Sequence, residues 1–139
     1  MADAAPALVE SARVFAGQMV RNTATVAGNI CCGSPAADLV PPLMALGATV
    51  TLQTGKSSRD VALDAYFTGY KASVRQPDEL ITAISWPRPD AASTSRFYKL
   101  ARRKGDAITV VGVSVLVAMK SGVCTEVRER GDAVPANCR

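Results

Sequence analysis

The chain has 139 residues, 48% of them hydrophobic and 20% charged, and a formal net charge of +4. That is the composition of a soluble globular domain rather than a disordered tail, and no apolar run approaches the about 20 residues that span a bilayer. With no histidine anywhere, Ser–His–Asp and Cys–His nucleophile schemes and His-ligated metals are excluded, which favours a bound cofactor as the source of any chemistry.

Pro6 to Ala16 places Leu8, Ala12 and Phe15, with Val9 and Ala16, at helical spacing, and Gly17 ends the run. Thr25–Ser34 reads as a glycine loop shaped around a ligand. Gly28 lets main chain approach closely, while Asn29 and Asp38 supply an amide and a carboxylate. Ser34-Pro35 reads as an N-cap and first helical residue, a helix start that suits an anion or a ring carbonyl oxygen. Pro41 and Pro42 fit only the first turn of a helix, which predicts a short helix from about Leu39 to Leu46, stopped by Gly47.

Residues 48–53 alternate with period two and end at a Thr54-Gly55-Lys56 turn, so they read as a strand that pairs with Arg59–Leu63. Leu80–Trp86 is another strand, closed by Pro87 and Pro89. Pro87 to Ser95 is a Pro/Ala/Ser-rich connector and the best boundary. Arg96–Arg103 and Ile108–Met119 read as strands, and Lys120-Ser121-Gly122 turns into Cys124–Arg128. The class is α+β, with helices mainly early and antiparallel strands later.

The basic residues are spread out except for Lys99, Arg102, Arg103 and Lys104, which read as a solvated strand end or turn. Aromatics make up 5% of the chain, few stacking platforms for single strands, so no nucleic-acid partner is expected. Cys31, Cys32, Cys124 and Cys138 show no CxxC spacing, so no zinc or iron–sulfur site is expected. The N-terminus carries Asp3 and no basic leader, and the expected location is cytoplasmic.

Several separated motifs follow one another in a familiar order: Val20–Ile30 (V-R-N-T-A-T-V-A-G-N-I), Ser34–Asp38 (S-P-A-A-D), Pro41-Pro42-Leu43, Asp64–Tyr70, Gln76–Ile81 and Phe97–Arg103. From roughly Pro6 to Arg128 the chain resembles the FAD-binding medium subunit of the molybdenum hydroxylases, of xanthine dehydrogenase and carbon monoxide dehydrogenase type. The resemblance implies the second subdomain of a vanillyl-alcohol-oxidase-like (PCMH-type) FAD-binding domain over residues 1–89. Part of an antiparallel C-terminal flavoprotein subdomain would follow over residues 90–139.

The resemblance also implies an electron relay. Substrate would be oxidised on a molybdopterin-binding large subunit, electrons would pass through [2Fe–2S] clusters of a small subunit, and FAD here would reduce NAD⁺ or another acceptor. No side chain is then catalytic, because the flavin carries the redox chemistry. The implied FAD contacts are Thr25, Val26, Ala27, Gly28, Asn29, Ser34 and Asp38, with Phe15, Tyr70, Ile81 and Lys99 in addition. Thr25, Gly28 and Asn29 would act through hydroxyl, backbone and amide, Asp38 as an acceptor. Lys99 would be a cation near the ring, and Tyr70 an aromatic that influences nicotinamide access. Each also has an ordinary role: Asp38 as a helix-start carboxylate, Phe15 and Ile81 as core, Lys99 on a strand surface, Tyr70 as a half-buried ring.

Three departures from the family pattern carry expectations of their own. The upstream A-G-G-T-D-L-type segment, which cradles the FAD pyrophosphate, precedes anything in this sequence. Ala27 stands where the family usually has a glycine, and a left-handed backbone there costs alanine about 1 kcal/mol. The resemblance fades after Val127-Arg128, as expected of a frameshift or an artificial end, which reading the adjacent frames of the gene tests. Such a fragment is expected to expose apolar surface and strand edges, to be marginally stable and to self-associate. Two other readings stand beside the relay: a nucleotide-binding or interaction module without flavin, and a small enzyme using the Cys31-Cys32 thiols.

Overall fold

A computed structural model describes residues 5–131. Helices α1 (Pro6–Val14), α2 (Gln18–Arg21), α3 (Val26–Cys31) and α4 (Val40–Ala45) lead into eight strands, with a 3-10 turn at Leu63–Ala65. The strands are β1 (Thr49–Gln53), β2 (Ser58–Ala62), β3 (Phe67–Gly69), β4 (Ala72–Ser73), β5 (Leu80–Ser85), β6 (Thr94–Ala101), β7 (Thr109–Lys120) and β8 (Val123–Gly131). They form three antiparallel sheets, ordered β2-β1-β5, β3-β4 and β6-β7-β8. Asp3, Cys138 and the tail of residues 132–139 lie outside the described residues.

The predicted hairpin forms, with Val50 opposite Val61 and Leu52 opposite Arg59. Alternation on β1 sends Val50 and Leu52 into a core with Ile30, Val40, Leu43, Leu63 and Tyr66. A second, smaller core joins Ala45 and Leu46 at the end of α4 to Leu116 on β7. Leu8 and Trp86 pack against both cores.

Hydrogen bonds fasten helix α1 to β6 along its length. Pro6 occupies the first turn, where a missing N–H costs nothing. The next N–H, of Ala7, donates to the Ser95 hydroxyl at 3.2 Å. Glu10 accepts from the Phe97 N–H at 2.8 Å and from Arg96 at 2.6 Å, which satisfies a backbone donor on an edge strand.

The structure corrects the sequence reading at four places. Helix α1 stops at Val14 rather than at Gly17; Ala16 makes the left-handed turn (φ 41°) and Gly17 opens α2, a four-residue helix too short to show a period. The segment read as a glycine loop is largely helical, because the Thr25 hydroxyl caps it by accepting the Gly28 N–H at 2.9 Å. Ala27 lies inside that helix, where alanine is favoured over glycine, so the expected backbone strain is absent. No helix starts at Ser34-Pro35: the Ser34 hydroxyl accepts the Ala36 N–H at 3.2 Å and closes a turn instead.

Helix α4 begins with Pro41 and Pro42 in its first turn, and Gly47 ends it with φ 70°, as the sequence requires. The outward face of the third sheet leaves Tyr98, Leu100 and Val127 exposed, in keeping with the expectation of uncovered apolar surface. No helix among the described residues is long and apolar enough to cross a membrane.

Candidate functional site

Phe15 is the hub of the site. Its ring stands at the extended residue that follows α1 and lines two adjoining depressions. One, of about 220 Å³, is bounded by Ser34, Asp38 and residues 106–109. The other, of about 180 Å³, is bounded by Arg21, Thr25, Val26 and Leu39. The structure therefore brings Phe15, Thr25, Val26, Ser34 and Asp38 together, although they come from three separate stretches of chain.

Arg21 orders the turn that carries Phe15. Its Nη1 donates to the Phe15 and Ala16 carbonyls, both at 2.6 Å. Across the first depression, Arg103 donates from Nε and Nη2 to the Asp106 carbonyl, at 3.2 and 2.7 Å. Ala16 and Asp106 both have φ 41°, a conformation L-residues keep only where surroundings impose it.

Asp38 has almost no free surface. Lys99 Nζ donates to its Oδ2 at 2.7 Å and the Thr109 hydroxyl donates to Oδ1. Its carbonyl accepts the Ser11 hydroxyl at 2.6 Å. Lys99 also donates to the Val14 carbonyl at 3.1 Å, and its side chain is only 8% exposed. The two residues that the resemblance assigned separately to the cofactor thus hold each other. Lys99 keeps one of its three N–H groups, and Asp38, which lines the first depression, keeps carboxylate lone pairs beyond the two bonds it accepts.

Helix α3 offers the rest of the site. Thr25, Val26 and Gly28 are exposed, and the Thr25 hydroxyl, accepting from Gly28, retains its own proton for donation. The Asn29 Oδ1 is buried with no hydrogen-bond partner among the described residues. An unsatisfied buried acceptor costs about 1–3 kcal/mol, so a donor on a bound molecule is the natural complement. These residues fit a nucleotide cofactor bearing hydroxyl and amine donors.

Of the expected contacts, Ala27, Gly28, Asn29 and Lys99 adjoin or bond residues of the depressions without lining either, and two more lie elsewhere in the fold. Ile81 lies on β5 opposite Leu52 and packs against the main core, lining neither depression. Tyr70 is 64% exposed on the β3–β4 turn, with Lys71 Nζ 5.7 Å from its ring centre. That turn is tied to the far end of α3, where the Lys71 N–H donates to the Gly33 carbonyl at 3.3 Å. Cys31 and Cys32 are exposed, and Cys31 Sγ lies 4.0 Å from the Tyr66 hydroxyl, whose phenol burial pushes up.

Sequence reasoning missed Ser11, Arg21, Asp106 and Thr109. Nothing local marks them: Thr109 is an ordinary threonine at a strand start, and it reaches Asp38 only through the fold.

A family model described as the FAD binding domain in molybdopterin dehydrogenase matches residues 1–89. The nicotinate dehydrogenase FAD-subunit of Eubacterium barkeri is 36% identical over 132 residues, which are 92% of this chain and 45% of that protein. The xanthine dehydrogenase/oxidase of Gallus gallus is 35% identical over 117 residues, 84% of this chain and 9% of that protein. Among solved structures, the reconstituted CO dehydrogenase from Oligotropha carboxidovorans superposes with a TM-score of 0.88 at 28% identity, covering 94% of this chain and 46% of that one. Quinoline 2-oxidoreductase from Pseudomonas putida 86 gives 0.81 at 25% identity, covering 96% and 46%. The chain spans less than half the length of each of these relatives. With the matched domain covering most of the chain, the protein belongs to the family of FAD-binding domains of the molybdopterin dehydrogenases, and FAD is that family's cofactor.

Proposed function

We propose that the chain holds FAD around Phe15 and serves as the flavin-bearing part of a molybdenum-containing hydroxylase. Residues 1–89 would be the second subdomain of a PCMH-type FAD-binding domain, and residues 90–139 the start of a C-terminal flavoprotein subdomain. Its partners would be a molybdopterin-binding large subunit and a [2Fe–2S] small subunit in the cytoplasm, with NAD⁺ or another compound as final acceptor.

When bound, FAD supplies the redox chemistry of accepting and passing on electrons. The chain's own residues position it. Thr25, through its hydroxyl, and Asn29, through its orphaned Oδ1, take donors and acceptors of the nucleotide. Val26 and Phe15 offer apolar contact, and Ser34 and Asp38 line the adjoining depression. Lys99 would hold the Asp38 carboxylate in place through their ion pair.

The observation that carries this reading is the buried, partnerless Asn29 Oδ1 beside a helix face left uncovered by protein. The test is a titration of the chain with FAD, followed by quenching of flavin fluorescence, in wild type and in Asn29→Leu. The substitution removes an unsatisfied acceptor, so the unliganded protein should be as stable or more stable. FAD affinity should nevertheless fall by about tenfold, the equivalent of one hydrogen bond to a buried group. Unchanged affinity, or no FAD binding by the folded wild type, would overturn the reading.

One observation favours a second reading, an interaction module that does not hold flavin: the Asp38–Lys99 pair is already satisfied within the protein. A folded chain that ignores FAD in the same titration would select it.

A further inference from the structure

Beyond the Phe15 depressions lies a larger cleft, of about 740 Å³, between the α1–α2 turn and the β6–β7 turn. One wall supplies Arg13 and Arg21, the other Arg102, Arg103 and Lys104, with Lys99, already paired to Asp38, also lining the cleft and joining it to the flavin site. The acids nearest in the fold are already engaged: Glu10 with Arg96 and the Phe97 N–H, Asp38 with Lys99. That leaves Asp106 as the one carboxylate-bearing residue among the described residues lining the cleft, which holds five cations without an ion pair among those residues, although Arg13 is near enough to Glu10 to act on its charge.

Two of those cations are held in place before any ligand arrives. Arg21 is anchored on the Phe15 and Ala16 carbonyls, and Arg103 on the Asp106 carbonyl. Carbonyl anchoring fixes a guanidinium without neutralising it, so the fork keeps full charge and some N–H groups for an anion. Arg13, Arg102 and Lys104 have no ion pair among the described residues. Concentrating like charge this way is unfavourable on its own and is relieved by a bound polyanion.

We propose that this cleft binds an oligophosphate, the di- or triphosphate portion of a nucleotide, as a site separate from that of the flavin. Charge on two facing walls suits a ligand whose negative charge repeats along its length. No aromatic side chain among the described residues lines the cleft, so recognition is of the phosphates and not of a stacked base. The cleft meets the smaller depression at Ala16, Asp106 and Ala107, which puts the bound anion at the rim of the Phe15 site.

The test is calorimetric titration of the whole chain with inorganic tripolyphosphate, with poly-glutamate of matched charge alongside. Affinity should fall steeply between about 50 and about 200 mM salt, as expected when several cations release counterions. The exposed double variant Arg102→Gln/Lys104→Gln should lose at least about tenfold in affinity, two charge-assisted hydrogen bonds being removed. Asp106→Asn, which keeps a residue tolerant of positive φ, should bind a few-fold tighter. Saturating FAD should leave tripolyphosphate affinity unchanged. Retained affinity in the double variant, equal affinity for poly-glutamate, or displacement by FAD would each overturn the proposal.

Discussion

Lys99 and Asp38 lie 61 residues apart and meet at 2.7 Å as an ion pair whose side chains are both more than nine-tenths buried. The pair joins the stretch before α4 to the first strand of the third sheet. Thr109 adds a second strand by donating to the same carboxylate, and Ser11 adds α1 through the Asp38 carbonyl. Four segments therefore converge on one aspartate, at the wall of the Phe15 site.

Removing one partner of such a pair strands the other in a poor solvent. Asp38→Leu or Lys99→Met alone should each cost about 3–5 kcal/mol of folding stability. The double variant, with no buried charge left, should recover a large part of that loss. Urea unfolding of the four proteins in a double-mutant cycle checks this. Additive losses would mean that the two side chains do not depend on each other.

Helix α3 gives a second prediction, aimed at the cap and at Ala27. Thr25→Ala should cost about 1 kcal/mol by freeing the Gly28 N–H, and Thr25→Ser should cost much less. Ala27→Gly, which restores the residue that the family resemblance expects, should destabilise by about 1 kcal/mol because the position is helical. A gain in stability for Ala27→Gly would show that the backbone there is not helical in solution.

The contrast between the strands and this helix shows what the sequence could reveal. Residues 48–53 alternate over enough positions to announce a strand, Pro87 and Pro89 mark where the strand from Leu80 stops, and Gly47 marks the end of α4 because its positive φ needs glycine. Helix α3 is six residues long and contains Gly28 and Asn29, both poor helix formers, so neither period nor propensity betrays it. Its signal was the Thr25 cap, which was read as a ligand contact. The Asp38–Lys99–Thr109 cluster is beyond local reasoning altogether, because its members come from distant segments and the fold alone joins them. The family resemblance pointed to Asp38 and Lys99 but assigned both to the cofactor, not to each other.

Acid should weaken the contact between Arg59 on β2 and Glu79, which precedes β5. The Glu79 carboxylate accepts from Arg59 at 2.7 and 2.9 Å and from the Gln76 N–H at 2.7 Å. Arg59 first, then the Gln76 N–H, lowers its pKa from 4.5 to about 2. A carboxyl lowered on folding stabilises the protein fully above its unfolded pKa, and that contribution fades as pH falls from about 4.5 towards about 2. Glu10 is lowered in the same sense, first by the Phe97 N–H. Glu79→Gln should therefore be less stable than wild type near neutrality, with the difference shrinking in acid. Denaturation midpoints across that range decide it, and a difference independent of pH would remove the linkage.

The last prediction concerns Gly33, at the end of α3 beside the turn that bears Tyr70. Its φ of 57° is left-handed, and a Cβ there would sit 3.0 Å from the Lys71 Cα. The obstacle is backbone and cannot swing away, because the Lys71 N–H is bonded to the Gly33 carbonyl. Gly33→Ala should thus combine about 1–2 kcal/mol of conformational strain with a displacement of the β3–β4 turn. Gly33→Asn tolerates the same φ better and should lose less, though it meets the same contact. Gly55→Ala is the control: no atom lies within 4 Å of its Cβ position and its φ is not left-handed, so it should be neutral or slightly stabilising. The order of urea midpoints, Gly55→Ala above Gly33→Asn above Gly33→Ala, tests the geometry; equal midpoints for the two alanine variants would place the Lys71 turn away from α3. Because Tyr70 follows that turn, the same variants also show whether it matters to the flavin. A Gly33→Ala protein that binds FAD as wild type does would remove Tyr70 from the site while leaving the Phe15 contacts in place.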